Sequence, residues 1–357
     1  MISDIQIKNF MGHSDLQCED IPAINLIIGR NDTGKTGLLK LLYATGKALE
    51  IYTLKKKSGD ASFKKELAEK LLNTFMPRKH NLGELVQKGR SEKLEVGIHF
   101  SIPTFQYNQS IHFSFGNKTE DTIPHSNDEV NLLPSGGMNV LFIPAKEVLT
   151  AYNDIRSMRE SFYGRGFDDT YLDLIKALSL EPTHGRTNGA LRGVNKELEN
   201  LFEGKIEYTG QSEQPFLFKK GNQLFAMQQT AEGIKKIGIL NNLIANGQLD
   251  KGTVLFMDEP ETALHPDAVR ALVEMLVAMS KNGVQLFLAT HSYFVIKQLA
   301  LCAKRDTLNI LCWSLEKKQD LVSHSFNRLI AGILPDNSIV NEALAMYNDD
   351  LKLSIGL

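Results

Sequence analysis

"NLIIGRNDTGKTGLLKLL", Asn25 to Leu42, sets an apolar run against a glycine turn and then a second apolar run. Between the two segments, Gly29, Gly34, Lys35 and Thr36 keep the spacing G-x-x-x-x-G-K-[ST]. That is the pattern of a loop whose backbone N–H groups surround phosphates. With glycine near 7% of residues, it arises by chance in only about one chain in a hundred of this size. The apolar run reads as a buried strand, and a helix is expected from about Gly37 to Leu49. In such a unit the glycines permit the turn and the helix directs its partial positive N-terminus at an anion. Lys35 would neutralise β/γ-phosphates, and the Thr36 hydroxyl would ligate Mg²⁺. Gly29, Arg30, Asn31, Asp32, Thr33, Gly34, Lys35, Thr36 and Gly37 are therefore the candidate nucleotide-binding residues. A plain glycine turn ahead of a helix is the bland alternative.

Two further stretches repeat the strand-then-polar design. "TVLFMDEPE" delivers Asp258 and Glu259 at the end of an apolar strand, where ligands of an α/β sheet bind. Asp258 suits the metal's water shell, and Glu259 suits orienting or deprotonating an attacking water. Adjacent acids at a strand end can also simply cap the next helix. "LFLATHS" ends in Thr290, His291 and Ser292, and a histidine there can donate a hydrogen bond to a γ-phosphate. A lone histidine is otherwise a cap or a core residue.

The bulk numbers set limits around these motifs. The chain has 357 residues, 42% of them apolar, and a net charge of −2, which gives an ordinary globular core and no global attraction to nucleic acid. Between Lys47 and Lys93, however, twelve Lys/Arg stand against six Asp/Glu. That segment reads either as a solvated helical face or as a contact for DNA or an acidic partner. No run approaches eighteen apolar residues, and "MISDIQIKNF" lacks the pattern of a signal peptide. The expectation is a cytoplasmic protein with no membrane contact. Cys18, Cys302 and Cys312 fit neither a disulfide framework nor a zinc site and read as reduced structural residues.

Along the chain, strands are expected at "DIQIKN", "AINLIIG", "KLEVGIHFSI", "QSIHFSF" and "NVLFIPA". Helices should fill 147–203, interrupted by the turn-rich "EPTHGRTNGA". Strand-like "GKIEYT" and "LFAMQQ" precede a helix at "AEGIKKIGILNNLIANGQL", and strands and helices then alternate to the end. "SGGMN" reads as a loop. The pattern implies an α/β fold with a largely parallel sheet covered on both faces.

"IKNFMGHSDL", "INLIIGRNDTGKTGLLKLL", "TVLFMDEPETALHP" and "FLATHS" together resemble the ABC-type ATPase core shared by SMC, RecF and OLD-family proteins and the DNA-repair coiled-coil ATPases. The resemblance implies a P-loop core with a mixed, largely parallel sheet and an inserted, mainly helical lobe. The core would take residues 1–50 and 205–357, together with strands near 91–146, and the basic, helical lobe residues 51–90 and 147–204. It implies ATP and Mg²⁺ as ligands. Gly29–Thr36 become the phosphate loop, Asp258 and Glu259 the acidic pair, Glu261 to His265 the following loop, and His291 the switch histidine. Glu259, His291 and Lys35 would be catalytic, and Thr36 and Asp258 would hold the metal with Gln87 as the third candidate. Thr230, Ala231, Glu232 and Gly233 would supply the signature, a helix tip that seals the nucleotide of a second subunit. Ala231 stands where the family carries serine, and Glu232 adds an acid near a polyphosphate. Thr230 or the Gly233 amide could supply the missing donor. Met11 replaces an arginine frequent after "NF" in the repair ATPases.

The separation of 222 residues from Thr36 to Asp258 requires the inserted lobe, yet the stretch contains no long heptad run, so the coiled coil of SMC proteins is not expected. The 66 residues after His291 are too few for the nuclease domain of some OLD-family members, and Asp349 and Asp350 read as solvated helix-end acids. The expected function is a Mg²⁺-dependent ATPase acting as a homodimer or higher even-numbered homo-oligomer. By resemblance to compact ATPases of prokaryotic antiphage defence, it would control a separately encoded nuclease or toxin. The alternatives are a RecF-like DNA clamp timed by ATP and a nucleotide-gated scaffold with negligible turnover.

Overall fold

The computed structural model describes residues 1–354 apart from 60, 90, 128, 162–165, 182–188, 202, 212, 320, 330 and 331. In chain order the elements begin with β1 (Ile2–Phe10), β2 (His13–Cys18), β3 (Ile24–Gly29), α1 (Lys35–Ser58) and α2 (Phe63–Phe75). Next come β4 (Leu94–Ile102), β5 (Tyr107–Phe115), β6 (His125–Ser126) and β7 (Asn139–Ile143), followed by α3 (Tyr152–Ser161), α4 (Asp169–Leu178) and α5 (Gly189–Leu201). Three short strands, β8 (Lys205–Tyr208), β9 (Phe216–Lys220) and β10 (Gln223–Ala226), precede α6 (Glu232–Ala245). The chain ends with β11 (Thr253–Asp258), α7 (Pro266–Lys281), β12 (Gln285–Thr290), α8 (Tyr293–Asp306), β13 (Ile310–Lys318), β14 (Leu321–Arg328) and α9 (Ser338–Ser354).

Eleven strands form one mixed sheet in the order β6-β5-β4-β1-β2-β14-β13-β3-β12-β11-β7. Its central part, β13-β3-β12-β11-β7, is parallel, and β6-β5-β4-β1-β2 is an antiparallel wing. Strands β8 to β10 make a separate antiparallel sheet. Every residue of β3, β11 and β12 is buried, as expected of strands covered on both faces. Alternate side chains enter two cores. Leu26, Leu255, Met257, Leu286 and Leu288 face the layer containing α3 to α8. Ile27, Val254, Phe256, Phe287 and Trp313 face α1, α2 and the antiparallel wing. On that second face Phe142, Phe256, Phe287 and Trp313 run across the sheet as ring contacts, with Tyr43 of α1 set edge-on to Phe142 at 5.3 Å.

Several details depart from the sequence reading. Helix α1 runs on past Gly46 to Ser58 without a proline, and Lys55, Lys56 and Lys57 complement its C-terminal dipole. Strand β2 was not anticipated. Its inward positions are His13, Leu16 and Cys18, and hydrophobic periodicity gives a buried histidine no credit. Strand β9, "FLFKK", lies between the two strand-like pieces read from the sequence and was not among them. The turn-rich stretch 181–190 lies mostly outside the described residues.

The basic segment is not a uniformly solvated face. Lys70 is 4% exposed and is paired with Asp169 at 2.8 Å and with Asp173. The Tyr43 hydroxyl donates to the same Asp173, and Lys40 of α1 pairs with Asp168 at 2.6 Å. This network ties α2 and α4 to the helix that follows the glycine loop. Burial, acting to lower the Lys70 pKa, is outweighed by the two carboxylates, which hold it above the ordinary lysine value. For Asp173, burial is outweighed by Lys70 and Lys47, and its pKa lies below the ordinary value. The three cysteines are free and buried. No helix among the described residues is long and apolar enough to cross a membrane.

Candidate active site

Parallel pairing brings three motif-bearing strand ends together. Strand β12 lies between β3 and β11, with Thr290 level with Ile28 and Asp258 level with Ala289. The glycine loop, the acidic pair and the histidine therefore emerge side by side at the C-terminal edge of the sheet. Gly34 is the residue that turns strand into helix. It sits at φ +79° as the N-cap of α1, a left-handed conformation glycine adopts without steric cost. Gly29 is needed for close approach: a Cβ there would lie 2.5 Å from the Leu315 carbonyl oxygen.

Within the loop, the Lys35 ammonium donates to the carbonyls of Gly29 and Arg30 at 2.8 and 2.9 Å, and the Thr33 hydroxyl donates to Arg30 at 2.8 Å. Arg30, Asn31 and Asp32 are exposed on the loop and Thr36 on the first turn of α1, while Gly37 is half-buried. Burial lowers the Lys35 pKa, and Glu259, Asp258 and Glu261 oppose that effect. The Thr36 hydroxyl donates to Asp258 Oδ2 at 2.8 Å. Burial raises the Asp258 carboxyl above the usual range against the pull of that hydrogen bond.

Thr36 and Asp258 thus form a pair of hard oxygen donors drawn from opposite ends of the chain. The set fits Mg²⁺, which commonly takes one or two protein oxygens and completes its shell with phosphate and water. A buried carboxylate oxygen without a partner, Glu261 Oε2, lies on the loop after the acidic pair. Among the described residues no cluster of three or more His, Cys, Asp or Glu side chains could hold a metal unaided.

Glu259 has φ +47°, the left-handed region that non-glycine residues seldom occupy. Its amide donates to the Ala289 carbonyl at 2.8 Å, and its Oε1 lies 3.2 Å from His291 Nδ1. The Thr262 hydroxyl reaches its Oε2 at 3.3 Å, and the Thr290 hydroxyl holds Glu261 at 2.6 Å. Sequence reasoning missed Lys236 of α6, which is 7% exposed and donates to the Glu259 carbonyl. Burial pushes its amine down to about 8. Its one visible signal was a lysine pair in a helix rich in isoleucine and leucine.

Gly233 and its neighbours open α6 as expected. Ala231 is the N-cap, with no side-chain cap bond. A Cβ on Gly233 would meet Leu264 at 2.8 Å, so the helix tip packs against the loop following Glu259. Thr230 donates its hydroxyl to Ala226 at 3.0 Å, and Glu232 pairs with Lys235 at 2.7 Å. The Thr230 proton is thereby engaged within its own chain. The segment 261–265 forms a turn, and His265 caps α7 by accepting from the Asp267 amide at 3.4 Å.

Gln87 is not brought to the carboxylates. Its amide nitrogen donates to Ser14 at 3.4 Å, and its backbone amide pairs with Asn9 in the β1–β2 hairpin. Strand β7 instead adjoins the acid-bearing strand, and the segment after it, Pro144 to Glu147, shares a cavity of about 440 Å³ with Lys236, Glu259 and Thr262. The Gln87 expectation followed linear order before a strand, whereas strand adjacency decides the neighbour. Met11 lays its sulfur 3.3 Å from where a Cβ on Gly37 would be.

A second unanticipated feature braces the glycine loop from outside. His13 and His324 share a ring hydrogen bond, Nδ1 to Nε2, at 2.7 Å. His13 Nε2 lies 2.5 Å from where a Gly34 Cβ would sit. Burial drives the His13 imidazole down to about 4, with His324 adding to that, and burial lowers His324 as well. Lys317 of β13 pairs with Asp32 of the loop and holds its carboxyl below the ordinary range. The β13–β14 hairpin therefore grips the loop at three points: Leu315 against Gly29, Lys317 on Asp32, and His324 through His13.

Comparison with known proteins agrees with this architecture. A family profile described as "AAA domain, putative AbiEii toxin, Type IV TA system" matches residues 115–297, and one described as "AAA ATPase domain" matches residues 1–162. The chain is 23% identical over 342 residues to an "ATP/GTP phosphatase" of Helicobacter pylori, covering 84% of this chain and 87% of that protein. A local match of 40 residues at 48% identity, 11% of this chain and 7% of the other, links it to the "Old nuclease" of Escherichia phage P2. Another, of 56 residues at 41%, covers 16% of this chain and 6% of the "DNA double-strand break repair Rad50 ATPase" of Archaeoglobus fulgidus. Among solved structures, an SMC head bound to the C-winged helix domain of ScpA superposes with a TM-score of 0.55 at 13% identity, over 92% of this chain and 98% of that one. That likeness concerns the fold.

Proposed function

The chain belongs to the AAA domain ATPase family, and from that premise we propose that it hydrolyses ATP at sites shared between two copies and uses the cycle to control a separate effector protein. The observation that carries the reading is the Thr36 to Asp258 contact at 2.8 Å, which joins the glycine loop to the acidic strand. In the proposed mechanism the loop amides and Lys35 bind the β- and γ-phosphates. Thr36 and Asp258 would hold Mg²⁺, which when bound supplies charge neutralisation on the phosphate oxygens. Glu259 accepts a proton from the attacking water as it approaches the γ-phosphorus. His291, 3.2 Å from Glu259, orients that carboxylate and donates towards the γ-phosphate.

The α6 tip of a second copy, Thr230 to Gly233, would complete the enclosure with backbone N–H groups. Its own Thr230 hydroxyl proton is already committed to Ala226, so the donors are the amides near Gly233. Residues 51–90 and 147–204 remain proposed as the inserted lobe, with the rest as the ATPase core. The effector would be a nuclease or toxin. This step draws on the resemblance to compact defence ATPases and on the family description.

A DNA-clamp reading rests on the basic 47–93 segment. There Lys55, Lys65 and Lys70 already pair with Glu66, Glu69, and Asp169 with Asp173, which reduces the charge left for phosphates. Steady-state turnover of Glu259→Gln tests the main reading. The rate should fall on the order of 10²–10⁴-fold while ATP binding persists, and wild-type turnover per molecule should climb with protein concentration. Undiminished turnover in the variant would refute the assignment of the base, and a concentration-independent specific rate would refute the shared site.

A further inference from the structure

Two adjacent lysines of α6 are buried, and their partners differ in kind. Lys235 is 3% exposed and Lys236 7%. One residue's step turns a helix by about 100°, so the two face different neighbours. Lys235 donates to Glu232 at 2.7 Å and to the Thr150 hydroxyl at 2.9 Å, with Glu147 at 3.9 Å, so carboxylates answer its charge. Lys236 makes no ion pair among the described residues and donates instead to the backbone carbonyl of Glu259. Asp258, Glu259 and Glu261 act on its charge only from further away. A buried ammonium on a neutral acceptor keeps much of its desolvation cost, and an apolar side chain of similar length would serve stability as well or better. What Lys236 holds is therefore the informative feature.

Glu259 sits in a backbone conformation that it does not favour. Its φ of +47° is left-handed, and it precedes Pro260, which biases the residue before it towards extended forms. Such strain persists only where the surroundings over-determine it. The Glu259 amide donates to Ala289 at 2.8 Å, and its carbonyl accepts from the Thr262 amide at 3.1 Å and from Lys236. The Thr262 bond is local to the turn, whereas Ala289 and Lys236 anchor the residue to β12 and to α6. Held in this way, the carboxylate lies 3.2 Å from His291. Lys236 and Glu259 share the cavity of about 440 Å³ with Pro144 and Thr262, so the turn has room to relax once the lysine's hold is removed. Gly233, three residues before Lys236 and so on the same face of α6, packs against Leu264 of the same loop.

We infer that Lys236 is a positioning residue of the ATPase: from α6 it fixes the Glu259 backbone, keeps that carboxylate aimed at the attacking water, and supports turnover without taking part in nucleotide binding. This role rests on Glu259 being the base, as proposed above.

Lys236→Met keeps the apolar stem and removes the donor. Its kcat should fall about 10–100-fold, with KM for ATP and the ATP Kd within about twofold of wild type. Its Tm should match or exceed that of wild type, because an ammonium without a paired carboxylate has been removed. Lys236→Arg, for which the cavity leaves room, should recover most of the lost kcat. In single-turnover reactions, adding Lys236→Met to Glu259→Gln should slow hydrolysis by less than about twofold further, since no carboxylate is left to aim. Unchanged kcat in Lys236→Met, beside a disabled Glu259→Gln, would overturn the inference and leave the base in place. A raised KM at unchanged kcat would overturn it too, as would an equal loss in both backgrounds. Full turnover by Glu259→Gln would remove the base itself, and this role with it.

Discussion

Replacing Lys70 by methionine would remove the buried cation that Asp169 and Asp173 share. Lys70 is 4% exposed, its ammonium is 2.8 Å from Asp169, and Asp173 also accepts the Tyr43 hydroxyl. Removing one partner of a buried ion pair costs about 3–5 kcal/mol, because the remaining charge stays desolvated. Unfolding entropy is about 2.1 cal/mol/K per residue, or roughly 0.75 kcal/mol/K for 357 residues. The expected loss in Tm is therefore about 4–7 °C, read by scanning calorimetry without nucleotide. Adding Asp169→Asn and Asp173→Asn should restore at least half of the loss.

The gap should also depend on pH. The depressed Asp173 pKa contributes stability above its unfolded value of about 3.9 and loses it as pH falls through the folded value. The raised Lys70 pKa contributes below about 10.4 and loses its effect as pH rises through the folded value. Wild type and Lys70→Met should thus differ most at intermediate pH and converge in acid. A Tm change under about 1 °C, or a gap that widens in acid, would show that the lysine is solvated and the network unimportant.

Gly34→Ala should reduce ATP affinity at least tenfold in a binding titration, since it forces a left-handed alanine worth about 1–2 kcal/mol and drives a methyl group against His13. Adding His13→Ala should recover part of the loss and no more. Lys236 has a pKa lowered to about 8, so folding penalises its charged form. Stability should rise with pH between about 8 and 10.4, a slope that Lys236→Met should flatten in urea titrations. Asp258→Asn should raise the Mg²⁺ concentration giving half-maximal ATPase rate by tenfold or more, and an unchanged metal dependence would remove Asp258 from the proposed metal site.

The three polar strand ends were legible in the sequence because each is local: a short apolar run followed at once by its functional residues. That the sheet is largely parallel was legible for the same reason, through the mostly apolar runs that form β3, β11 and β12. What stayed hidden depends on partners distant in the chain. Lys70 looked like any surface lysine until Asp169 and Asp173 were placed beside it. Nothing in the sequence joined His13 to His324, 311 residues further on. Gln87 preceded a suitable strand, but the neighbour of β11 turned out to be β7. The exposed apolar side chains of α9 were visible only as a helical tail, because a sequence pattern does not say whether anything covers them.

Strand β3, which leads into the glycine loop, has β12 and β13 as its two neighbours, and the loop itself is gripped by Leu315, Lys317 and, through His13, His324. Strand β3 therefore waits for segments made more than 250 residues later before it has a place to sit. A nascent chain halted ahead of Gln285 would expose a mostly apolar strand and a slack loop, needing shelter throughout synthesis. Such long-range pairing makes for slow maturation, and competence for nucleotide would arrive in one late step.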